Sequence, residues 1–258
     1  DSLIKLSEYC RKLEIPFLCV FAPSKVCQYD TGLPLGVPDE VNPAANQVIE
    51  RLENAEVSVL DLRRNLHEEG RSHEELFFHT DHHWNSEGAF WGYQKLTERL
   101  NADFGYEIDD TLRERENFCQ KDFPEGFLGS YGKRTGKYFG GVDDISVILP
   151  DFEVSLRMEV PDRGIVREGD FSQALLDFSQ ITDAWYYDDS HIPYAVYTGD
   201  DYNLMRIINE NAENDKKLLL LKDSFVRPVA SFLSLGIRQV EAIDLRIEPK
   251  ISVKEYLN

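Results

Sequence analysis

Apolar positions along the chain fall into two textures. Up to residue 100, helical and strand-like patterns alternate. Leu3, Leu6, Tyr9 and Leu13 recur at helical spacing over residues 2–13, ahead of Pro16. Phe17-Leu18-Cys19-Val20-Phe21-Ala22 is a continuous apolar run, the pattern of a buried parallel strand, and it stops at Pro23-Ser24-Lys25. Residues 29–38, with Pro34, Gly36 and Pro38, predict a loop, and residues 39–54 predict a second helix. Val57-Ser58-Val59-Leu60-Asp61-Leu62 predicts a second buried strand, followed by a polar helix or loop around Glu68, Glu69 and Gly70. From Ser86 to Leu100 the spacing is again helical; Asn85 or Ser86 can cap that helix, and Glu87 suits the positive end of its dipole. The same texture returns near the end. Lys216-Lys217-Leu218-Leu219-Leu220-Leu221 predicts a strand, closed by Lys222-Asp223-Ser224-Phe225. Val226 to Leu235 predicts a helix with Pro228 tolerable in its first turn, Gly236 ends it, and Gln239 to Asp244 predicts a further strand.

Residues 101–198 read differently. Gly and aromatic residues are frequent, as in Gly126-Phe127-Leu128-Gly129-Ser130-Tyr131-Gly132. Short alternating runs follow, at Ile145 to Leu149 and at Phe152 to Met158. Alternating helices and strands argue for a parallel sheet with helices on its faces. The expected fold is therefore α/β: one domain over 1–258, its core formed by 1–100 and 199–258, with a β-rich insertion at 101–198.

Composition narrows the partners. The net charge of −19 over 258 residues argues against nucleic acid and against docking on an anionic membrane surface. Cys10, Cys19, Cys27 and Cys119 form no Cys-x-x-Cys pair, so a thiolate zinc site is not expected, and they are too sparse for a disulfide framework. No run of about 20 apolar residues is present to span a bilayer. The sequence opens without Met inside a helical pattern, so we expect a trimmed chain from which a signal or anchor segment could have been removed.

Half of the six histidines lie in Phe78-His79-Thr80-Asp81-His82-His83-Trp84-Asn85, just before the helix that starts at Ser86. In an extended loop, residues i and i+2 project to one side, so Asp81 and His83 can touch while His82 points away. Ser224 lies on a strand-to-helix turn, at the carboxyl edge where open α/β sheets bind ligands. A serine hydroxyl needs a base to become a nucleophile, and a carboxylate holds a histidine in the tautomer that serves. Other readings remain open at this point. A serine there also describes a helix cap, an Asp-His pair can be structural, and two histidines beside an aspartate can ligate a metal. Ser24, after the first strand, is a rival nucleophile without an acidic neighbour.

Thr80-Asp81-His82-His83-Trp84-Asn85, with Leu221-Lys222-Asp223-Ser224-Phe225 downstream, resembles the bacterial DHHW proteins, a family related to the SGNH-like catalytic domains of alginate O-acetyltransferases. Ala22-Pro23-Ser24-Lys25 and Ile243-Asp244-Leu245-Arg246 are similar to further landmarks, so the resemblance covers essentially the whole chain. It implies an SGNH-hydrolase-like fold, with Ser224 as nucleophile, His83 as base and Asp81 as its orienter. It implies an extracytoplasmic setting, with membrane anchoring through a segment outside this sequence. A cell-surface polysaccharide or other glycan is the implied substrate, and a membrane-bound acyltransferase the implied source of acetyl groups. Lys222 replaces the usual Gly before Asp-Ser, and the order Asp, His, Ser fits the alginate branch rather than common SGNH hydrolases. The Asn and Gly motifs of other SGNH enzymes have no counterpart, which leaves the N–H of Ser224 and, more weakly, Gly199 as expected oxyanion donors. Trp84 could stack on a sugar ring or pack over the loop; Lys25 and Arg227 could meet an acidic substrate or be ion-paired. The resulting expectation is a serine-dependent carbohydrate O-acetyltransferase or acetylesterase with no metal or cofactor. A manganese phosphoesterase, with Asp61 as a further ligand, and a non-catalytic carbohydrate-binding or assembly protein are the alternatives.

Overall fold

The computed structural model describes residues 1–29, 33–182 and 191–258, so residues 30–32 of the expected loop lie outside it. The chain divides into two compact units, residues 1–75 and 76–258. The first holds α1 (Ser2–Lys12), β1 (Leu18–Phe21), α2 (Val41–Asn54), β2 (Ser58–Asp61) and α3 (Leu62–Glu68), the alternation its apolar pattern predicts. Strands β1 and β2 pair in parallel, from Leu18 opposite Ser58 to Phe21 opposite Asp61. Asp61 ends β2 and caps α3 by accepting the Arg63 N–H. The buried Arg63 guanidinium donates to Asp61, Asn42 and Asn46, which binds α2, β2 and α3 through one polar centre. A buried cation is tolerated when it is fully hydrogen-bonded in this way. Helix α4 (His73–Leu76) leads into the second unit.

That unit runs α5 (Ser86–Phe104), β3 (Phe118–Phe127), α6 (Ser130–Thr135), α7 (Lys137–Gly140), β4 (Asp143–Pro150), β5 (Leu156–Val160), β6 (Ile165–Gly169), α8 (Phe171–Leu175), β7 (Leu204–Ile208), β8 (Lys217–Leu221), α9 (Val226–Leu233), β9 (Gln239–Ile243) and α10 (Val253–Tyr256). Strands β3 and β4 pair antiparallel. The other five form one sheet in the order β6-β5-β7-β9-β8. Only β8 and β9 are parallel in it; β5, β6, β7 and β9 are joined by antiparallel ladders. The expected parallel sheet is thus corrected to a parallel pair in the first unit and a mixed sheet in the second. The reason is local to the β-rich stretch. Strands β5 and β6, from residues 101–198, add to the sheet as antiparallel partners instead of forming a layer of their own, and β7 continues that sense against β9.

Helix α5 starts where the sequence predicts. The Asn85 side chain accepts the Gly88 N–H at 2.9 Å, and Gly105 closes the other end at φ 60°. Its core side chains include Phe90, Trp91, Tyr93, Leu96 and Leu100. Gly88 and Gly92, four apart on one face, leave room for what precedes the helix. A Cβ at Gly88 would lie 2.3 Å from the Leu76 carbonyl oxygen, and one at Gly92 would lie 2.8 Å from the Trp84 ring.

Helix α9 is buried along nearly its whole length. Phe232 on it is the centre of an aromatic cluster with Phe90 and Tyr93 of α5, at ring separations of 5.3 and 5.6 Å, and with Phe118, Phe171 and Tyr197. Burying an aromatic side chain stabilises by about 1.5–3 kcal/mol, and each well-oriented ring pair adds about 0.5–1.5 kcal/mol. This packing matters for function because α5 begins just after the Asp-His-His-Trp run and α9 begins just after Ser224. Locking the two helices together brings two distant stretches of sequence to one place.

Candidate active site

Residues 76–85 fold as a tight loop on the front of α5. The Phe78 N–H donates to the His83 carbonyl, the Asn85 N–H donates to the Leu76 carbonyl, and Phe77 and Trp84 form a β-bridge. Within the loop the His83 Nδ1 is 2.5 Å from Asp81 Oδ1, and the His83 N–H donates to the same oxygen at 3.0 Å. The other ring nitrogen, Nε2, is 2.7 Å from Ser224 Oγ, 141 positions away in sequence. Ser224 and His83 are half-buried, Asp81 is buried and Asp223 is exposed. The His83–Ser224 contact falls in the range that proton transfer needs.

The carboxylate is held for its task. Burial alone pushes the Asp81 carboxyl up. The hydrogen bond to the His83 ring, the Ser130 N–H at 2.7 Å and the His83 N–H outweigh that and hold it well below the usual carboxylate range. Asp81 is therefore an anion at neutral pH and can fix the Nδ1–H tautomer, which leaves Nε2 free to accept from Ser224. The ring is also clamped sideways. Tyr194 stacks on it at 4.1 Å and 19°, and Phe225 approaches at 5.0 Å.

An outer layer fixes the loop, and residues not singled out in the sequence supply it. Asp143, at the start of β4, accepts from the His79 N–H, the Thr80 N–H and the Thr80 hydroxyl at 2.7, 2.7 and 2.6 Å. At the start of α6 the Gly129 N–H donates to the Thr80 hydroxyl, and the Tyr131 and Gly132 N–H groups donate to the Thr80 carbonyl. The stretch Gly129 to Gly132 thus grips the backbone on which Asp81 is mounted. Nothing in the spacing of Asp143 or Ser130 marks this role, because it depends on a tertiary contact between the β-rich stretch and the loop.

Several expected site residues prove to have other duties. Trp84 is only 3% exposed; its indole N–H donates to the Phe225 carbonyl at 3.1 Å and its ring lies over Gly92, so it joins the two halves of the site and cannot present a face to a sugar. Gly199 gives its N–H to the Ala195 carbonyl at 2.9 Å and lies beside Asp177 and Tyr202, so that group is not free to receive an oxyanion. Arg227 is buried against Asp201 through contacts of 2.8 and 2.6 Å, an ion pair inside the protein and not an arm toward substrate. Lys25 lies half-buried in the loop after β1 of the first unit, and Ser24 beside it donates to the Val26 carbonyl at 3.0 Å. His82 does not point away from its neighbours. Its ring is exposed but 3.8 Å from that of His83, and its Nδ1 is 3.1 Å from Ser130 Oγ. The loop is bent there, not extended, so the alternation of a strand does not hold.

Residues 5–128, just under half the chain, match the family model of the SGNH hydrolase-like domain of the acetyltransferase AlgX. The matched stretch includes Asp81 and His83 but stops well short of Ser224, whose place rests on the geometry above. The resemblance expected from the sequence is thereby shown. The fold is similar to that of Bacillus cereus PatB1, solved with a sulfonyl adduct, at 21% identity and a TM-score of 0.75 over 99% of this chain and 81% of that one. It is also similar to a DHHW family protein from Eubacterium siraeum, at 17% identity and a TM-score of 0.71 over 99% of this chain and 79% of that one. No curated protein matches the chain. The fold of this chain is thus SGNH-hydrolase-like, with the mixed sheet described above.

Proposed function

We propose that the protein is a serine-dependent carbohydrate O-acetyltransferase or acetylesterase, and that Asp81, His83 and Ser224 carry the reaction. The observation that supports this most is the continuous line of contacts Asp81 Oδ1–His83 Nδ1 and His83 Nε2–Ser224 Oγ, at 2.5 and 2.7 Å. In the first half-reaction His83 Nε2 takes the Ser224 proton as Oγ attacks the carbonyl carbon of an acetyl ester. The carbonyl oxygen becomes an oxyanion, for which the Ser224 N–H is the proposed donor. Collapse expels the donor's alkoxide, which leaves with the proton held on His83, and an acetyl-serine remains. In the second half, His83 removes a proton from a sugar hydroxyl or from water, that oxygen attacks the acetyl carbon, and Ser224 leaves with the proton restored. Asp81 stays ionised throughout and stabilises the imidazolium that forms twice per cycle.

The half-buried Ser224 and His83, flanked by the exposed His82 and Asp223, suit an extended polymer more than a small molecule enclosed in a cavity. The reading includes an extracytoplasmic setting, a cell-surface glycan as acceptor, and acetyl groups delivered by a membrane-bound acyltransferase. Among the described residues no helix is long and apolar enough to cross a membrane.

Purified protein should hydrolyse an activated acetyl ester, and Ser224→Ala should abolish that turnover while the thermal melt stays in place. Retained turnover in the variant would overturn the assignment. A wild type that neither turns over nor reacts with a sulfonyl fluoride would point instead to a non-catalytic carbohydrate-binding protein. One observation favours a metal-dependent phosphoesterase: ligand atoms of Asp81, His82 and His83 lie within 4.8 Å of one another. Both Asp81 oxygens, however, already accept N–H donors, and an ion would have to displace them. Stoichiometric manganese in purified protein, measured by mass spectrometry, would favour that reading.

A further inference from the structure

Under the Ser224 turn lies a buried charge cluster that the reaction above does not use. Lys222 Nζ is 2.6 Å from Asp201 Oδ1 and 3.4 Å from Asp244 Oδ2. Arg227 binds Asp201 from the other side, Nε to Oδ1 at 2.8 Å and the terminal nitrogen to Oδ2 at 2.6 Å. Arg246 completes it from the rim, at 2.6 Å from Asp244 and 3.2 Å from Asp201. Lys222 and Arg227 are 3% and 7% exposed in their side chains, so both cations have left water. Such groups are tolerated only when fully paired, and breaking one pair strands a buried charge.

The arrangement has a direction. Lys222 stands two residues before Ser224 and Arg227 three after, on the first turn of α9. Both close on the same carboxylate, so the turn that carries the nucleophile is stapled at each end to one point. Asp201 reaches that point through an unusual piece of backbone. Thr198 and Gly199 are successive residues at φ 69° and 91°, and a buried β-branched residue in the left-handed region is an outlier kept only where the surroundings require it. Burial pushes the Asp201 carboxyl up, but Arg227 and Lys222 outweigh that and hold it well below the usual range, so the staple is charged at neutral pH.

We propose that Asp201 is a positioning residue for Ser224: by gripping Lys222 and Arg227 together it fixes the 222–227 turn so that the Ser224 hydroxyl meets His83 Nε2. The inference rests on the reaction assigned above. It also explains Lys222, which replaces the usual Gly before Asp-Ser: here that position supplies one arm of the staple.

The test compares wild type, Asp201→Asn, Asp201→Glu, and the triple variant Asp201→Asn/Lys222→Met/Arg227→Met, which removes the stranded cations along with the carboxylate. Three readouts are taken on each: thermal melt, kcat and KM on an activated acetyl ester, and amide hydrogen exchange. The expected result is that the triple variant melts near wild type yet keeps kcat lowered by about 100-fold with KM little changed, the loss expected for about 1 Å of misplacement. Asp201→Glu should recover part of kcat, and amides of residues 222–227 should exchange faster in Asp201→Asn while those of β3 and β4 do not. A triple variant that recovers kcat with its stability would overturn the proposal and leave Asp201 a structural ion-pair partner. If wild type shows no turnover, the assigned reaction fails separately. Exchange at 222–227 then decides the staple alone, and unchanged rates there overturn it.

Discussion

Replacing Gly129 by alanine tests the outer layer of the site with a single methyl group. Gly129 precedes α6 at φ −71°, a backbone conformation open to any residue, so the substitution introduces no backbone strain. The space is what forbids it. The new Cβ would lie 2.2 Å from the Asp81 Cβ and 2.6 Å from Asp81 Oδ2, where ordinary contact begins at 3.4 Å. Asp81 or the start of α6 must therefore withdraw by more than an ångström (3.4 − 2.2 Å). Either movement disturbs the Ser130 N–H bond to Oδ2 at 2.7 Å and the contact of Oδ1 with His83 at 2.5 Å. A shift of that size costs about 100-fold in rate when it reaches a reacting group, while overpacking costs about 1–3 kcal/mol of stability. Gly129→Ala should thus melt somewhat below wild type and remain folded at 25 °C. Its kcat on an activated acetyl ester should fall about 100-fold, with KM moving far less. A variant within twofold of wild type in kcat would refute the reasoning, because it would mean that the Asp81 position does not govern the rate.

Asp143→Ala removes an acceptor shared by the backbone N–H groups of His79 and Thr80 and the Thr80 side-chain hydroxyl, and should cost about 2 kcal/mol in urea unfolding; an unchanged midpoint contradicts the anchoring role. Trp84→Phe deprives the Phe225 carbonyl of its donor and should likewise cost about 1–3 kcal/mol, read as a lower melting temperature; equal melting would show that the indole bond carries nothing. Stability should also depend on pH through Asp201. A carboxyl held low in the folded state binds its proton more readily once unfolded, so its contribution is present above about pH 4 and fades as pH falls through the folded value. The stability gap between wild type and Asp201→Asn should therefore be widest near pH 7 and narrow below about pH 4; a constant gap across that range would contradict the ionised pair.

Much of this arrangement is legible in the chain itself, and the limits have physical causes. Helix α5 announces itself by cap and spacing, α9 by a hydrophobic stretch between Phe225 and Gly236, and β8 by four leucines. Asp81, His83 and Ser224 are candidates by residue type and by the elements beside them, and the resemblance to the DHHW proteins is what singles them out. Strand β3 escapes such reading because most of its residues are exposed and the pattern carries no period, even with Pro124 inside it. Strand β7 places Arg206 in an otherwise apolar run, where it pairs with Glu241 of β9, a partner 35 positions on. The sheet's antiparallel half is hidden for the same reason: strand direction is settled by which ladders form, and the residue patterns of β5, β6 and β7 read the same whichever way the strands point. Trp84 and Arg227 invite a substrate role by type, and only their burial reveals that one locks the two loops together and the other neutralises Asp201. Asp201, Asp143 and Ser130 are ordinary polar residues in sequence, made significant by what the fold brings against them.

In the proposed reaction Ser224 becomes acetylated. Protein mixed with an activated acetyl ester, quenched within the first turnovers, digested and sequenced by mass spectrometry, should yield one acetyl group on the peptide carrying Ser224. That group should vanish in His83→Ala, which cannot remove the hydroxyl proton. An acetyl group on Ser24 or any other residue, or unmodified protein under conditions where the ester is consumed, would contradict the account.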